Sequence, residues 1–339
     1  MTDMVTDRFV SNDSFAAAPA LTGPAANGEA IDGEVLAKRY QIRSLLSSGG
    51  FGVTFLARNV YLPGQPLCVV KKLAPNVTDP QLIERAYQQF DLEALSLSRL
   101  GTHAQVPCLL DYFRLGTEVY LVQEYIPGLV LNQVVGKQGP LTEAAVEQFL
   151  TQMLHLMAYI HSHQLIHRDI KPENIIWCQT DRRFVLVDFG AVEDLNPATA
   201  NRQLNVRHAI GTPRFAPPEQ LAGRAVYASD LYALGMTCIY LLTGREPSQF
   251  ATDPHTCELM WAETIDISDG LRETIDKTIQ VSVADRYHSA TQVLTALENR
   301  ATRAKLRTYL DQKHAVSHSV HTGSGAYPAV VHWALGIDR

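Results

Sequence analysis

His167-Arg168-Asp169-Ile170-Lys171-Pro172-Glu173-Asn174, followed a hairpin's length later by Asp188-Phe189-Gly190, is the stretch that decides the reading of this chain. The first run has the form H-R-D-x-K-x-x-N and the second is D-F-G. Between them they offer a carboxylate for an incoming hydroxyl (Asp169), a cation for a phosphate (Lys171) and two hard oxygen ligands for Mg²⁺ (Asn174 and Asp188). That is the set of groups that phosphoryl transfer from ATP requires. Phe184-Val185-Leu186-Val187 reads as a buried strand that delivers Asp188.

Working outward, the chain of 339 residues is long enough for one large domain or two ordinary ones, and its 46% hydrophobic content supports a sizeable core. A formal net charge of −6 argues against a general nucleic-acid binder. Five widely spaced cysteines without a C-x-x-C read as reduced thiols. The start Met1-Thr2-Asp3-Met4 does not read as a signal peptide, and no run reaches the roughly 18–20 apolar residues of a membrane span. The expectation is a soluble, cytoplasmic protein.

Residues 1–35 are rich in Ala, Ser, Thr, Asp and Gly and read as a flexible leader. From Tyr40 the pattern changes to short strands, Tyr40–Leu46, Val53–Ala57 and Leu67–Leu73, punctuated by Gly and Pro. A helix is expected over 79–100, then two strands, Leu109–Phe113 and Val119–Tyr125. After Pro127-Gly128 the chain turns mostly helical. Val146, Phe149, Leu150, Met153, Leu154, Met157 and Ile160 recur at helical spacing over 142–163, and an apolar helix over 227–243 stops at Gly244. Residues 299–339 read as a helical extension and a tail with scattered histidines.

Other motifs fall around these. Ser48-Gly49-Gly50-Phe51-Gly52 lies between two strands, where a glycine turn lets backbone N–H groups approach phosphates. Cys68-Val69-Val70-Lys71 puts a lysine on the next strand; side chains alternate there, so only one of Lys71 and Lys72 can face inward, and the register with Leu73 favours Lys71. Glu93 has Phe90, Leu97 and Leu100 at helical spacing, which sets it on the apolar face of its helix. Gly211-Thr212-Pro213-Arg214-Phe215-Ala216-Pro217-Pro218-Glu219 and Asp285-Arg286-Tyr287 follow downstream.

Over roughly 36–298 these motifs resemble the eukaryotic-like Ser/Thr protein kinases that are also widespread in bacteria. The resemblance implies an α+β, bilobal fold: a five-stranded antiparallel small lobe with one helix over 36–125, and a larger, mostly helical lobe over 126–298. It implies Mg²⁺ and ATP as cofactors, with Mn²⁺ as the alternative metal, and protein Ser/Thr hydroxyls as acceptors. No nucleic acid or membrane span enters, and a transient homodimer would serve autophosphorylation. Asp169, Lys171, Lys71, Glu93 and Thr212 are the catalytic set. Leu46, Gly49, Gly50, Phe51, Gly52, Thr54, Val69, Lys71, Glu124, Ile126 and Ile176 form the nucleotide site, and Asn174 and Asp188 hold the metal.

Further roles come with the family. Glu219 pairs with Arg286, Asp230 accepts N–H bonds from the catalytic loop, and Arg168 receives a phosphate on the activation segment, for which Thr199 is the candidate. The chain departs from the pattern at Ser47 for the first glycine, Thr54 for valine, Gln123 at the gatekeeper position, Phe215 for tyrosine and Pro217 for alanine. A pseudokinase, keeping the fold without the chemistry, draws support from Ser47 and Thr54 but not from the presence of Lys71, Asp169 and Asp188. A small-molecule kinase is disfavoured by the activation segment ending in Pro-Pro-Glu with a matching arginine.

Overall fold

In the computed structural model, residues 33–49, 52–75, 78–195 and 213–300 are described. The chain divides into two units, 1–294 and 295–339; of the second, residues 295–300 are described and are helical. Everything below concerns the first unit.

Its N-terminal part is an antiparallel sheet built from β1 (Val35–Leu36), β2 (Tyr40–Ser48), β3 (Gly52–Asn59), β4 (Leu67–Leu73), β5 (Leu109–Leu115) and β6 (Glu118–Glu124), in the order β1-β2-β3-β4-β6-β5. The five strands expected from sequence are all there, and the two-residue β1 adds to one edge. Alternation along the strands separates two faces. Ile42, Phe55, Ala57, Cys68, Val70, Tyr120 and Val122 cluster on one of them. Leu73, on the other, packs with Ala86, Val119 and the partly buried Phe90.

The helix Pro80–Leu100 starts where Asp79 accepts from the Gln81 N–H, with Pro80 in its first turn. Its buried residues Ala86, Glu93, Ala94, Ser96, Leu97 and Leu100 fall on one face. A glutamate therefore sits in the buried face of this helix, where only a paired charge is tolerable.

The C-terminal part is dominated by helices. Glu143–Ser162 is capped by Thr142, whose hydroxyl accepts from Ala145 N–H. Tyr227–Thr243 is buried along most of its length and stops at Gly244, whose φ of 68° is the left-handed conformation of a helix C-cap. Asp269–Thr278 packs against it.

Two small sheets position the catalytic segments. One has the order β10 (Arg183–Leu186), β9 (Ile175–Cys178), β7 (Leu129–Val130), and in the other β8 (Leu165–Ile166) pairs with β11 (Glu193–Asp194). The β9–β10 hairpin closes the inner end of the 167–192 stretch, and the β8–β11 ladder closes its outer end. Residues 167–174 and 187–192 are thereby laid side by side, and the Val187 N–H donates to the Asn174 carbonyl at 2.8 Å.

Candidate active site

Lys71 lies on β4 and turns to the face that carries Leu73. Its Nζ donates to Glu93 Oε1 at 2.5 Å and to Asp188 Oδ1 at 2.9 Å. Lys72 takes the opposite face, where it pairs with Glu118 and lies 5.9 Å from the Tyr120 ring centroid. The strand alternation alone accounts for this division. Burial by itself would push the Lys71 ammonium down, but the charges of Asp188 and Glu93 outweigh it and hold the group above its ordinary value. The Lys71 charge in turn takes Asp188 down to about 2, against the opposing effect of burial.

Asp169 Oδ2 accepts from Lys171 Nζ at 2.7 Å and from Asn174 Nδ2 at 2.9 Å, and the same amide reaches the Asp169 carbonyl at 2.9 Å. The short helical turn Pro172–Asn174 brings the asparagine back over the aspartate. Asp169 is thus a carboxylate oriented by two neighbours from its own loop.

The loop itself hangs from Asp230. This carboxylate is fully buried and accepts from His167 N–H and Arg168 N–H at 2.9 Å each, and it lies 2.9 Å from His161 Nε2. Burial alone would raise its pKa; the hydrogen bond and charge of His161, with the backbone donor of Arg168, instead hold it below the usual carboxylate value. The family pattern supplied the backbone contacts, whereas the His161 contact was not foreseen.

His167 is pushed below its ordinary value by burial. Its Nδ1 accepts from Asp169 N–H at 3.3 Å and its ring meets Phe189 edge-on, with centroids 4.9 Å apart. Leu97 is fully buried, as expected of a packing residue on its helix. Arg168 and Asp188 both have positive φ, 66° and 67°. Non-glycine residues pay strain there, and here the flanking contacts to Asp230 and Lys71 hold them.

Between β2 and β3, Gly49 N–H donates to the Gly52 carbonyl at 2.9 Å. Ser47 stands opposite Thr54 in the ladder, and the register shifts between Leu45 and Ser47, at Leu46. A Cβ on Gly52 would lie 2.4 Å from the Lys72 carbonyl oxygen, so the backbones of β3 and β4 meet at a distance only glycine allows. Val69 shares the Lys71 face. Ile126 is buried with Cys178 and Val185, and Ile176 packs on that cluster. The Glu124 N–H donates to the Cys108 carbonyl at 2.9 Å. Gln123 is buried, and its Oε1 has no hydrogen-bond partner. Gly50, Phe51 and Thr212, as well as Thr199, lie outside the described residues.

Glu219 and Arg286 form a two-pronged pair, Nη1 to Oε1 at 2.7 Å and Nη2 to Oε2 at 3.0 Å. Ser229 Oγ donates to the same Glu219 Oε1 at 2.7 Å, a contact that sequence did not suggest. Phe215, in the tyrosine position, is buried.

A family model for the protein kinase domain matches residues 40–297. Serine/threonine-protein kinase B of Synechocystis sp. is 50% identical over 265 residues, 77% of this chain and 46% of that protein. Serine/threonine-protein kinase PknA of Nostoc sp. is 42% identical over 269 residues, 78% of this chain and 48% of the relative. A probable serine/threonine-protein kinase PknB of Lactococcus lactis is 26% identical over 272 residues, 78% of this chain and 42% of the relative. The chain spans about half the length of these curated relatives.

Proposed function

The chain belongs to the protein kinase family, and we propose on that premise that it transfers the γ-phosphate of Mg-ATP to serine and threonine hydroxyls of proteins. The observation that carries this is the pairing of two clusters: Lys71 held by Glu93 and Asp188 across the cleft, and Asp169 oriented by Lys171 and Asn174.

The donor set suits the cofactor that the family implies. Mg²⁺ binds through one or two carboxylates and completes its shell with phosphates and water, so the ionised Asp188 and the Asn174 amide oxygen are a fitting pair of protein ligands. When bound, the metal neutralises charge on the phosphates. Lys71 supplies a permanent cation for the α- and β-phosphates, kept in place by Glu93. Asp169 orients the acceptor hydroxyl and takes its proton; Lys171, 2.7 Å from it, offers positive charge where the transferred group carries negative charge. Leu46, Thr54, Val69 and Ile176 enclose the base, with Glu124 and Ile126 presenting backbone groups to it. Gly49 and Gly52 lie at the phosphates in this reading, and the covering role of Gly50 and Phe51 and the acceptor-site role of Thr212 come from the family pattern alone.

The kinase domain is proposed to run from 36 to 298, with its lobes meeting at 125/126. Protein substrates are its partners, and a transient homodimer would let it phosphorylate itself. Among the described residues no helix is long and apolar enough to cross a membrane. The test is incubation of purified protein with labelled ATP, Mg²⁺ and a protein substrate, followed by phosphoamino-acid analysis. Phosphoserine and phosphothreonine are expected, and Asp169→Asn should abolish most transfer while still binding nucleotide. Phosphotyrosine as the main product, or full turnover by Asp169→Asn, would overturn the reading.

A further inference from the structure

We propose that Glu193 is a built-in counter-ion for Arg168, which holds the catalytic loop in working geometry without a phosphate on the activation segment. The inference rests on the kinase reading above and concerns how that same site is controlled. From the motif alone, Arg168 is the residue that would receive such a phosphate. In the structure its guanidinium is already engaged. Nη1 donates to Glu193 Oε2 at 3.0 Å, Nε to the Ala191 carbonyl at 2.6 Å, and Nη2 reaches the Val192 carbonyl at 3.4 Å. Arg168 as a whole is 9% exposed. A guanidinium so far removed from water needs an anion close by, and Glu193 supplies it from within the chain.

Both partners are fixed independently of their own contact. The Arg168 N–H is held by Asp230 Oδ1 at 2.9 Å, and its carbonyl accepts from Gln220 Nε2 at 2.6 Å. Glu193 stands in the β8–β11 ladder, opposite Ile166. Its neighbours tie the same segment to the helix that carries Glu93. The Val192 carbonyl also accepts from Gln89 Nε2 at 3.3 Å, and Asp194 Oδ2 accepts from Arg99 Nη1 at 2.8 Å. Residues 192–194 therefore bridge the loop bearing Asp169 and the helix that positions Lys71. A phosphate brought to Arg168 would meet the Glu193 carboxylate beside it, and like charges there repel. Glu193 is thus a positioning residue: it acts through Arg168 and the loop.

The experiment compares the full chain as purified with the same protein treated by a broad-specificity protein phosphatase until its intact mass shows no phosphate. Casein serves as the generic substrate. Wild-type kcat should stay within about twofold on dephosphorylation. In the dephosphorylated state Glu193→Gln should lose at least about tenfold in kcat with little change in KM for ATP, the size of one lost charge-assisted hydrogen bond acting on the reacting geometry. Glu193→Asp should recover most of it. A wild type that loses its activity on dephosphorylation, or a folded Glu193→Gln with undiminished kcat, would overturn the proposal. The phosphatase arm uses the native sequence, so it decides even where Glu193→Gln fails to fold. A wild type that binds ATP yet is inert in both states would sink the kinase reading itself, and this inference with it.

Discussion

Replacing Glu219 by Gln tests whether the end of the activation segment is anchored by charge. Arg286 has no exposed side-chain surface, and Glu219 meets it through two parallel bonds of 2.7 and 3.0 Å. The glutamine keeps the shape but leaves a buried guanidinium without its counter-ion. Breaking a buried pair from one side costs about 3–5 kcal/mol. Arg286 retains the carbonyls of Gln280, Val281 and Ala228 and the face of Tyr232 at 4.7 Å, which places the expected loss at the lower end, about 3 kcal/mol. For a domain of this size that corresponds to a drop in Tm of about 6–12 °C. Thermal melts followed by circular dichroism measure it, and a double-mutant cycle with Arg286→Met isolates the pair.

The same pair gives a pH signature. Burial alone would raise the Glu219 pKa, but hydrogen bonds from Arg286 and Ser229 reverse that and leave it lowered. A depressed folded pKa contributes stability that is present above the unfolded value of about 4.3 and is lost as pH falls through the folded one. The Tm gap between wild type and Glu219→Gln should therefore be full at neutral pH and narrow below about pH 4. A gap of less than about 2 °C at neutral pH, with a coupling energy below about 0.5 kcal/mol, would refute the reasoning.

Four further outcomes follow from the site. Asp188→Ala should weaken nucleotide binding in the presence of Mg²⁺ far more than in its absence, as read by calorimetry; equal losses would remove the metal role. Because the folded Asp188 pKa is depressed to about 2, the carboxylate stays ionised above about pH 4 and should add no acid limb to the rate profile between about pH 5 and 7; a limb in that range assigned to Asp188 would contradict the ion pair with Lys71. Asp230→Asn replaces one of the two oxygens that separately accept the His167 and Arg168 N–H groups by an NH₂ donor and should cost about 2–3 kcal/mol, with faster amide exchange at His167 or Arg168; wild-type exchange at both would contradict its role. Gly52→Ala must open the β3–β4 contact at the Lys72 carbonyl and should cost about 1–3 kcal/mol together with nucleotide affinity, and unaltered melting and binding would show that the approach is not as tight as it stands here.

Local chemistry made much of this protein legible before any coordinates. The order H-R-D-x-K-x-x-N then D-F-G names its residues because a loop that folds back on itself, as Asn174 does onto Asp169, needs its partners within a few positions. Strand alternation separated Lys71 from Lys72, and helical spacing set Glu93 on a buried face, since both follow from the period of a single element. Contacts between elements were different. Lys71 and Asp188 are 117 residues apart, and no periodicity in either segment states that they touch. Arg168 read in isolation was a phosphate receiver. Only the two-residue ladder between Leu165–Ile166 and Glu193–Asp194 brings a carboxylate against it, and ladders that short leave no pattern in composition. His161 on Asp230 and Ser229 on Glu219 belong to the same class, polar side chains whose partners are chosen by how helices pack. The sequence by itself determined the family, the strands and helices and the identity of the reacting groups. The tertiary structure decided which charges neutralise which, because burial and distance, the two quantities that set an electrostatic energy, exist only once the chain is folded.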